Sequence, residues 1–179
     1  QSGIGIAPSI GVDFKTRNFN FGVKYEFRTR MRLKNKSNVK EASMIEAVNK
    51  FRDGTKVPED SPALLAFGAQ WEFLRGARLS AAYHHFFDKQ SAKYGDAQKL
   101  LSGGTNEYLV GLEVDITKKL QASGGLQFTR NGLTDKFMND ISFTTNSWSF
   151  GLGVGYRISD KGMVNAAYFQ SNYAHYKAA

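Results

Sequence analysis

The stretch FNFGVKYEFRTRMRL, residues 19–33, alternates between two kinds of side chain without interruption. Every odd position from Phe19 to Leu33 is apolar or threonine, whereas every even position is polar, charged or glycine. Because successive side chains of a β-strand point to opposite faces, the pattern predicts a strand with one apolar face. Fifteen residues exceed the usual strand of about 5–6 residues. We therefore expect one strand that crosses a bilayer, which needs about 9–11 residues, and projects beyond it.

The same alternation recurs along the chain, and the connections between these stretches are short and long in strict succession. Each stretch has an apolar, aromatic face and a second face of glycine, small or charged residues. Short and long connections in strict rotation predict eight strands arranged in four hairpins. The alternating stretches include 65–73, 108–116 and 148–158; the short turns lie near 17–18, 75–77, 117–119 and 159–162; the long polar stretches cover 35–61, 89–106 and 130–146.

Short turns on one side and long loops on the other are typical of outer-membrane barrels. A soluble barrel or sandwich is the alternative, and it would bury the apolar face. The glycine, serine and alanine content of the polar face favours the membrane barrel, because small side chains suit a crowded interior. The fold class that we predict is all-β, an antiparallel up-and-down transmembrane β-barrel in the outer membrane, with residues 1–179 as one domain. Four aromatic residues near strand ends would form its interfacial girdle: Tyr25, Trp71, Trp148 and Tyr156.

The composition excludes several kinds of site and limits the classes of partner. The 179 residues contain no cysteine, which excludes a disulfide scaffold, a thiolate zinc site and a cysteine nucleophile. The net charge of +8 suits nucleic acid or the phosphates of anionic lipids and lipopolysaccharide. Since the basic residues alternate with membrane-type aromatics, we expect outer-membrane lipid and lipopolysaccharide as partners, no nucleic acid, and a monomer.

Histidine positions give no support for catalysis. His84 and His85 are neighbours in a predicted strand, so they point to opposite faces and cannot jointly hold one metal ion. His175 has no serine or aspartate at a useful spacing. We therefore predict that the protein is not an enzyme and has no metal site and no cofactor.

The longest loop carries an apolar pattern with helical spacing. Ile45, Val48 and Phe51 recur three residues apart and are followed by Gly54, which predicts a short amphipathic helix within residues 39–54. Two interpretations stay open. The helix caps the rim of the barrel, or Ile45, Val48 and Phe51 bind a hydrophobic ligand.

The densest positive charge lies on the polar side of the first stretch, and we expect Lys24 and Arg28 at membrane depth. One interpretation is an interior ion-pair network with Glu26, Gln70, Glu72, Glu113 and Asp115, because buried like charges are costly unless paired. The other is a basic track in which Arg28, Arg30 and Arg32 bind a fatty-acid carboxylate or a lipopolysaccharide phosphate.

The order of several short motifs resembles the FadL/TodX outer-membrane transport family, in the version found in Bacteroidetes-type organisms. The resemblance implies a barrel of about fourteen strands that takes up long-chain fatty acids and other hydrophobic compounds in Gram-negative bacteria. The resemblance implies that this chain corresponds to family strands six to thirteen. It also implies that residues 39–54 correspond to a loop that helps form a hydrophobic capture groove. The motifs are Gly11–Phe14, Phe21–Phe27, Pro62–Gly68, Ala81–His84, Gly104–Tyr108 and Gly153–Tyr156.

A structural role is the alternative function. Eight strands that close on themselves leave an interior just filled by side chains, whereas about fourteen leave a lumen. A closed eight-stranded barrel would serve as a membrane anchor or a surface-interaction protein. Transport would instead proceed by binding and diffusion, without covalent chemistry.

Overall fold

The computed structural model describes residues 1–138 and 145–175. The regular secondary structure of the described part is mostly antiparallel β-structure, with one α-helix, α1 (Glu46–Asn49), and two 3-10 helices, Asp88–Gln90 and Tyr94–Leu100. None of its helices is long and apolar enough to span a membrane. The strands are β1 (Ser9–Lys15), β2 (Phe19–Glu26), β3 (Arg32–Lys34), β4 (Lys56–Pro58), β5 (Leu64–Leu74), β6 (Ala77–Phe86), β7 (Thr105–Asp115), β8 (Leu120–Arg130), β9 (Ser147–Ser159) and β10 (Gly162–Tyr173).

Eight of the strands form one sheet in the order β1-β2-β5-β6-β7-β8-β9-β10. Each strand pairs antiparallel with the next, which confirms the four predicted hairpins. Tight turns join the members of each hairpin. Gly76 closes the β5–β6 turn with φ +79°, a left-handed conformation that disfavours residues with a Cβ. The long connections all emerge at the opposite end of the sheet.

The register confirms the two faces predicted from the sequence. Val23, Phe67 and Tyr83 are successive cross-strand partners and lie on one face. Gly22, Gly68 and Ala82 are the corresponding partners on the other face. Strands β5 to β10 have 10 to 13 residues each, which is long enough to cross a bilayer at a tilt.

The apolar face points outward. On β9, Trp148 is 46% exposed whereas its neighbour Ser149 is 4% exposed. A soluble protein would show the reverse, because apolar burial drives its folding. Of the predicted girdle aromatics, Trp71, Trp148 and Tyr156 are half-exposed near strand ends, whereas Tyr25 near the end of β2 is half-buried. An apolar outer surface of this kind needs lipid around it.

The sheet curls without closing. Asp13 of β1 and Phe169 of β10 line the same cavity, so the two edge strands curve round one interior. Yet β1 and β10 do not pair with each other in the part of the chain that the structure describes. Open edges cannot persist in lipid, where each unpaired backbone group costs several kcal/mol. The sheet therefore has the form of a barrel section that needs further strands.

The prediction of one strand over Phe19–Leu33 is wrong. Strand β2 ends at Glu26, and the alternation resumes as β3 in a separate two-stranded sheet with β4. Between them Thr29 forms an isolated bridge with Ser61, and Asp60 Oδ1 accepts a hydrogen bond from the Met31 N–H at 3.0 Å. The backbone ladder is thus interrupted after Glu26, although pairs such as Thr29 with Ser61 continue it in places, so alternation alone overestimates the continuous strand.

The helix predicted within residues 39–54 is reduced to one turn, α1. Polar side chains form hydrogen bonds with backbone groups on both sides of this turn. Asp53 Oδ1 accepts from the Ser37 N–H at 2.9 Å, while Asn49 Oδ1 accepts from the Ser43 N–H at 2.7 Å. Such bonds compete with helical hydrogen bonds and favour turns.

Candidate functional site

A cavity of about 570 Å³ occupies the middle of the concave face. Its walls come from every strand of the large sheet. The residues that line it are small or uncharged, apart from Asp13 at one edge. A volume of this size lies within the range of small-molecule pockets, about 300–1,000 Å³.

Missing side chains create this cavity. Gly22 and Gly68 are cross-strand partners, and one row further down Gly111, Gly125 and Gly151 follow one another across β7, β8 and β9. A Cβ added to Gly68 would meet nothing within 4 Å. Free space therefore lies directly above the backbone, and this belt of glycines keeps it open.

Charged residues lie at the turn end of the concave face. Arg78 Nε donates to Glu113 Oε1 at 2.6 Å, and its Nη2 donates to Asp115 Oδ1 at 2.8 Å. Gln121 Nε2 donates to the same Asp115 oxygen at 3.0 Å. Two carboxylates that share one guanidinium form a network with strong, charge-assisted hydrogen bonds.

A second polar group lies toward the loop end of the concave face. His84 Nδ1 is 3.1 Å from Glu107 Oε2, and Gln127 Nε2 donates to Glu107 Oε1 at 3.2 Å. His85 faces the other way and contacts Asn106 Oδ1 at 2.8 Å, as the alternation predicts. The cavity thus has charged networks at both ends and an uncharged middle.

The long loops form a compact layer that holds most of the buried residues. Val57 has no exposed surface, and Asp60 is 6% exposed. Asp60 Oδ2 accepts from the Ala92 N–H at 3.2 Å, and its other oxygen accepts from Met31. One carboxylate therefore fastens the strand that leads out of β2 to the β6–β7 loop.

Arg28 belongs to this layer and not to the membrane-depth network that we predicted. Its Nε lies 3.7 Å from Asp60 Oδ2, and its guanidinium donates to the Gln90 carbonyl. The cause is the early end of β2, which leaves Arg28 beyond the sheet. Of the ion pairs predicted here, Lys24–Glu26 is confirmed at 2.8 Å. Glu113 and Asp115 pair with Arg78, which we did not single out from the sequence.

The other predicted ligand residues lie at the loop surface. Ile45 and Phe51 are 61% and 46% exposed, and Val48 is half-buried. Arg30 and Arg32 are exposed, and the structure gives neither of them an ion pair within the described ranges. The apolar residues and the two arginines lie in the same loop layer. Arg28 lies there too, but its guanidinium already contacts Asp60 and the Gln90 carbonyl.

Two titratable groups that contact α1 or its flanks have shifted pKa values. The pKa of Asp53 lies below its usual value because its carboxylate accepts hydrogen bonds from Lys40 Nζ and the Ser37 N–H. The pKa of Tyr94 is raised by the neighbouring Glu46 carboxylate, which favours the neutral phenol. Both contacts tie α1 and its flanks to neighbouring loop segments.

Comparison with protein families decides the identity of this sheet. The family described as "Outer membrane protein beta-barrel domain" matches residues 61–179, about two thirds of the chain. The chain belongs to this outer-membrane β-barrel family. Its open sheet with an apolar outer face is therefore a section of an outer-membrane barrel.

Solved structures with the same fold include two proteins of Pseudomonas. A FadL homologue from Pseudomonas aeruginosa is 15% identical, with a TM-score of 0.74 over 94% of this chain. The toluene transporter TodX from Pseudomonas putida is 14% identical, with a TM-score of 0.58 over 93% of this chain. This barrel section thus has the FadL/TodX fold, and it spans 44% of each of those chains. No curated protein sequence matches the chain.

Proposed function

We propose that this barrel section forms part of an outer-membrane channel through which hydrophobic compounds pass by binding and diffusion, without enzymatic chemistry. The observation that carries the proposal is the glycine-lined cavity in the middle of the concave face. Its walls, which are uncharged apart from Asp13 at one edge, favour apolar solutes over ions, because a charge in the uncharged part loses its hydration without gaining a partner. The FadL/TodX fold supports the same function, since TodX is described as a toluene transporter.

Capture at the loop surface extends this proposal. An alkyl chain would rest against Ile45, Val48 and Phe51, while the exposed Arg30 and Arg32 would bind a carboxylate. Long-chain fatty acids have both groups, so we propose them as one class of ligand. Arg28 contributes differently: its bonds to Asp60 and the Gln90 carbonyl hold the loop layer together.

The alternative function, a closed eight-stranded anchor, has less support. Such a barrel requires β1 to pair with β10, and the described residues contain no such ladder. Its interior would also be filled by side chains, whereas this concave face carries glycines at matching depth on several strands.

Ligand binding in neutral detergent tests the proposed channel. The full-length protein should bind a hydrophobic fluorescent probe that both toluene and palmitate displace. Gly68→Phe would fill the cavity and should abolish most of this binding. Ala69→Phe is the matched control, because residue 69 shares the outward face with its cross-strand partner Phe21. Equal probe affinity in both folded variants would contradict the proposal.

A further inference from the structure

A second cavity, of about 450 Å³, lies at the turn end of the sheet and is separate from the glycine-lined cavity. The β5–β6 turn, the β7–β8 turn and the end of β9 surround it. Four cationic side chains line it: Arg75, Lys118, Lys119 and Arg157. None of the four has an ion-pair partner in residues 1–138 and 145–175.

The two carboxylates in this cavity are already engaged. Asp115 accepts hydrogen bonds from Arg78 and Gln121, and Glu72 Oε1 accepts from the Gly76 N–H at 3.0 Å. Four cations against two carboxylates leave a formal excess of two positive charges on the lining. Some cations elsewhere are paired with carboxylates, whereas others, such as Arg30 and Arg32, have no ion pair among the described residues. In the loop layer Lys40, Lys93 and Lys99 each lie within 2.7 Å of a carboxylate oxygen.

We propose that this turn-end cavity is a binding site for a phosphate group. A phosphate monoester carries about −1.5 to −2 charges at pH 7, which matches the excess of the lining. Arg75 comes from the β5–β6 turn and Arg157 from the end of β9, and the planar guanidinium suits two-point binding of phosphate oxygens. Lys118 and Lys119 add mobile ammonium groups from the turn between them. The phosphate belongs either to a soluble ester or to the headgroup of an anionic phospholipid.

The test uses the full-length protein in a neutral detergent and two probes. Phenyl phosphate, followed by isothermal titration calorimetry, represents the soluble source. Bicelles of phosphatidylcholine with and without phosphatidic acid, followed by ³¹P line broadening, represent the lipid source. Binding of either probe to the wild-type protein, weakened by added salt, is expected. Absence of binding by both probes would overturn the proposal.

Variants locate the site. Combined replacement of Arg75, Lys118, Lys119 and Arg157 by glutamine should weaken binding by about tenfold or more. The control replaces four exposed cations that have no ion pair among the described residues, Lys36, Lys56, Lys89 and Arg130, by glutamine as well. Equal weakening of binding in both variants would show that only the overall charge of the protein matters, and it would overturn the proposed site. If the quadruple variant does not fold, Arg157→Gln and Lys118→Gln alone should each show a smaller loss, and unchanged affinity in both would overturn it.

Discussion

Gly22 on β2 is the direct cross-strand partner of Gly68 on β5, so two adjacent strands present no side chain to the concave face at this depth. On the opposite face the neighbouring pair is Val23 with Phe67, and both side chains are exposed. This relationship divides the sheet into a face for lipid and a face for a lumen.

Adjacent residues at the centre of β8 should respond in opposite ways to arginine. Leu126 is an outward-facing residue, and Gln127 lines the cavity on the concave face. Leu126→Arg should lower the free energy of unfolding in lipid vesicles by about 2–4 kcal/mol, because it places a charge at mid-bilayer. Gln127→Arg should have a smaller effect, since Glu107 lies within reach of its head group. Denaturant titration, monitored through the fluorescence of Trp71 and Trp148, measures the free energy of unfolding of both variants. Equal losses in the two variants would contradict the assigned faces.

The Asp60 carboxylate should govern the order of the loop layer without affecting the sheet. Asp60→Ala leaves the Met31 and Ala92 N–H groups without their acceptor and removes the ion pair with Arg28. Unpaired buried donors cost about 1–3 kcal/mol, so both amides should lose protection in hydrogen exchange while amides of β6 and β7 keep theirs. Asp96→Ala is the control, because its pair with Lys99 is exposed. Unchanged protection of the Met31 and Ala92 amides would show that another contact fastens the loops.

Acidification should loosen residues 37–53 through Asp53. Its pKa in the folded loop lies below the ordinary value of 3.8 because Lys40 Nζ and the Ser37 N–H stabilise the carboxylate. A depressed pKa contributes stability above pH 3.8, and that stability is lost as pH falls through the lower folded value. Limited proteolysis with pepsin from pH 4.5 down to pH 2 should show this loop cleaved progressively faster. Asp53→Asn should remove that pH dependence; a pH dependence retained in the variant would assign it to another group.

Loop capture makes a separate prediction about ligand chemistry. Replacing Ile45, Val48 and Phe51 together by serine should weaken the binding of palmitate and of its methyl ester alike, by about 1–2 kcal/mol for each side chain that covers the alkyl chain. Arg30→Gln with Arg32→Gln should weaken only palmitate, because the ester has no charge to pair. Tryptophan-fluorescence titration measures both, with heat-modifiable migration on gels as the control for folding. Unchanged palmitate affinity in both folded variants would leave the loop as a structural lid.

The sequence predicts the sheet well because period-two alternation and turn chemistry are local properties. The alternation within 65–73, 108–116 and 148–158 places each side chain on its face, and the turns at 17–18 and 75–77 set the hairpins. The same rule fails beyond Glu26, because alternation does not reveal where the pairing with the partner segment is interrupted. There the partner segment contains Pro62, which has no N–H to donate, and Asp60, which binds backbone through its side chain.

The site was less accessible to sequence reasoning, because it depends on contacts between distant residues. Arg78 meets Glu113 and Asp115 across 35 and 37 residues, and only the β6–β7 register brings them together. The glycine belt is visible in the sequence as separate glycines. Its alignment across Gly111, Gly125 and Gly151 follows from the register of three strands. A glycine at a concave position near the middle of several predicted strands is the signal that could have located the cavity.

Solute flux into proteoliposomes tests the central claim, that hydrophobic compounds pass along the concave face. The full-length protein with Gly68→Phe and Gly111→Phe fills the cavity from two strands, while Ala69→Phe and Val110→Phe add comparable bulk to the lipid side of the same strands. We predict that toluene and palmitate enter vesicles with the wild-type protein and with the lipid-side variant at similar rates. The cavity variant should fall to the rate of protein-free vesicles. Equal flux through all three folded proteins would contradict the claim.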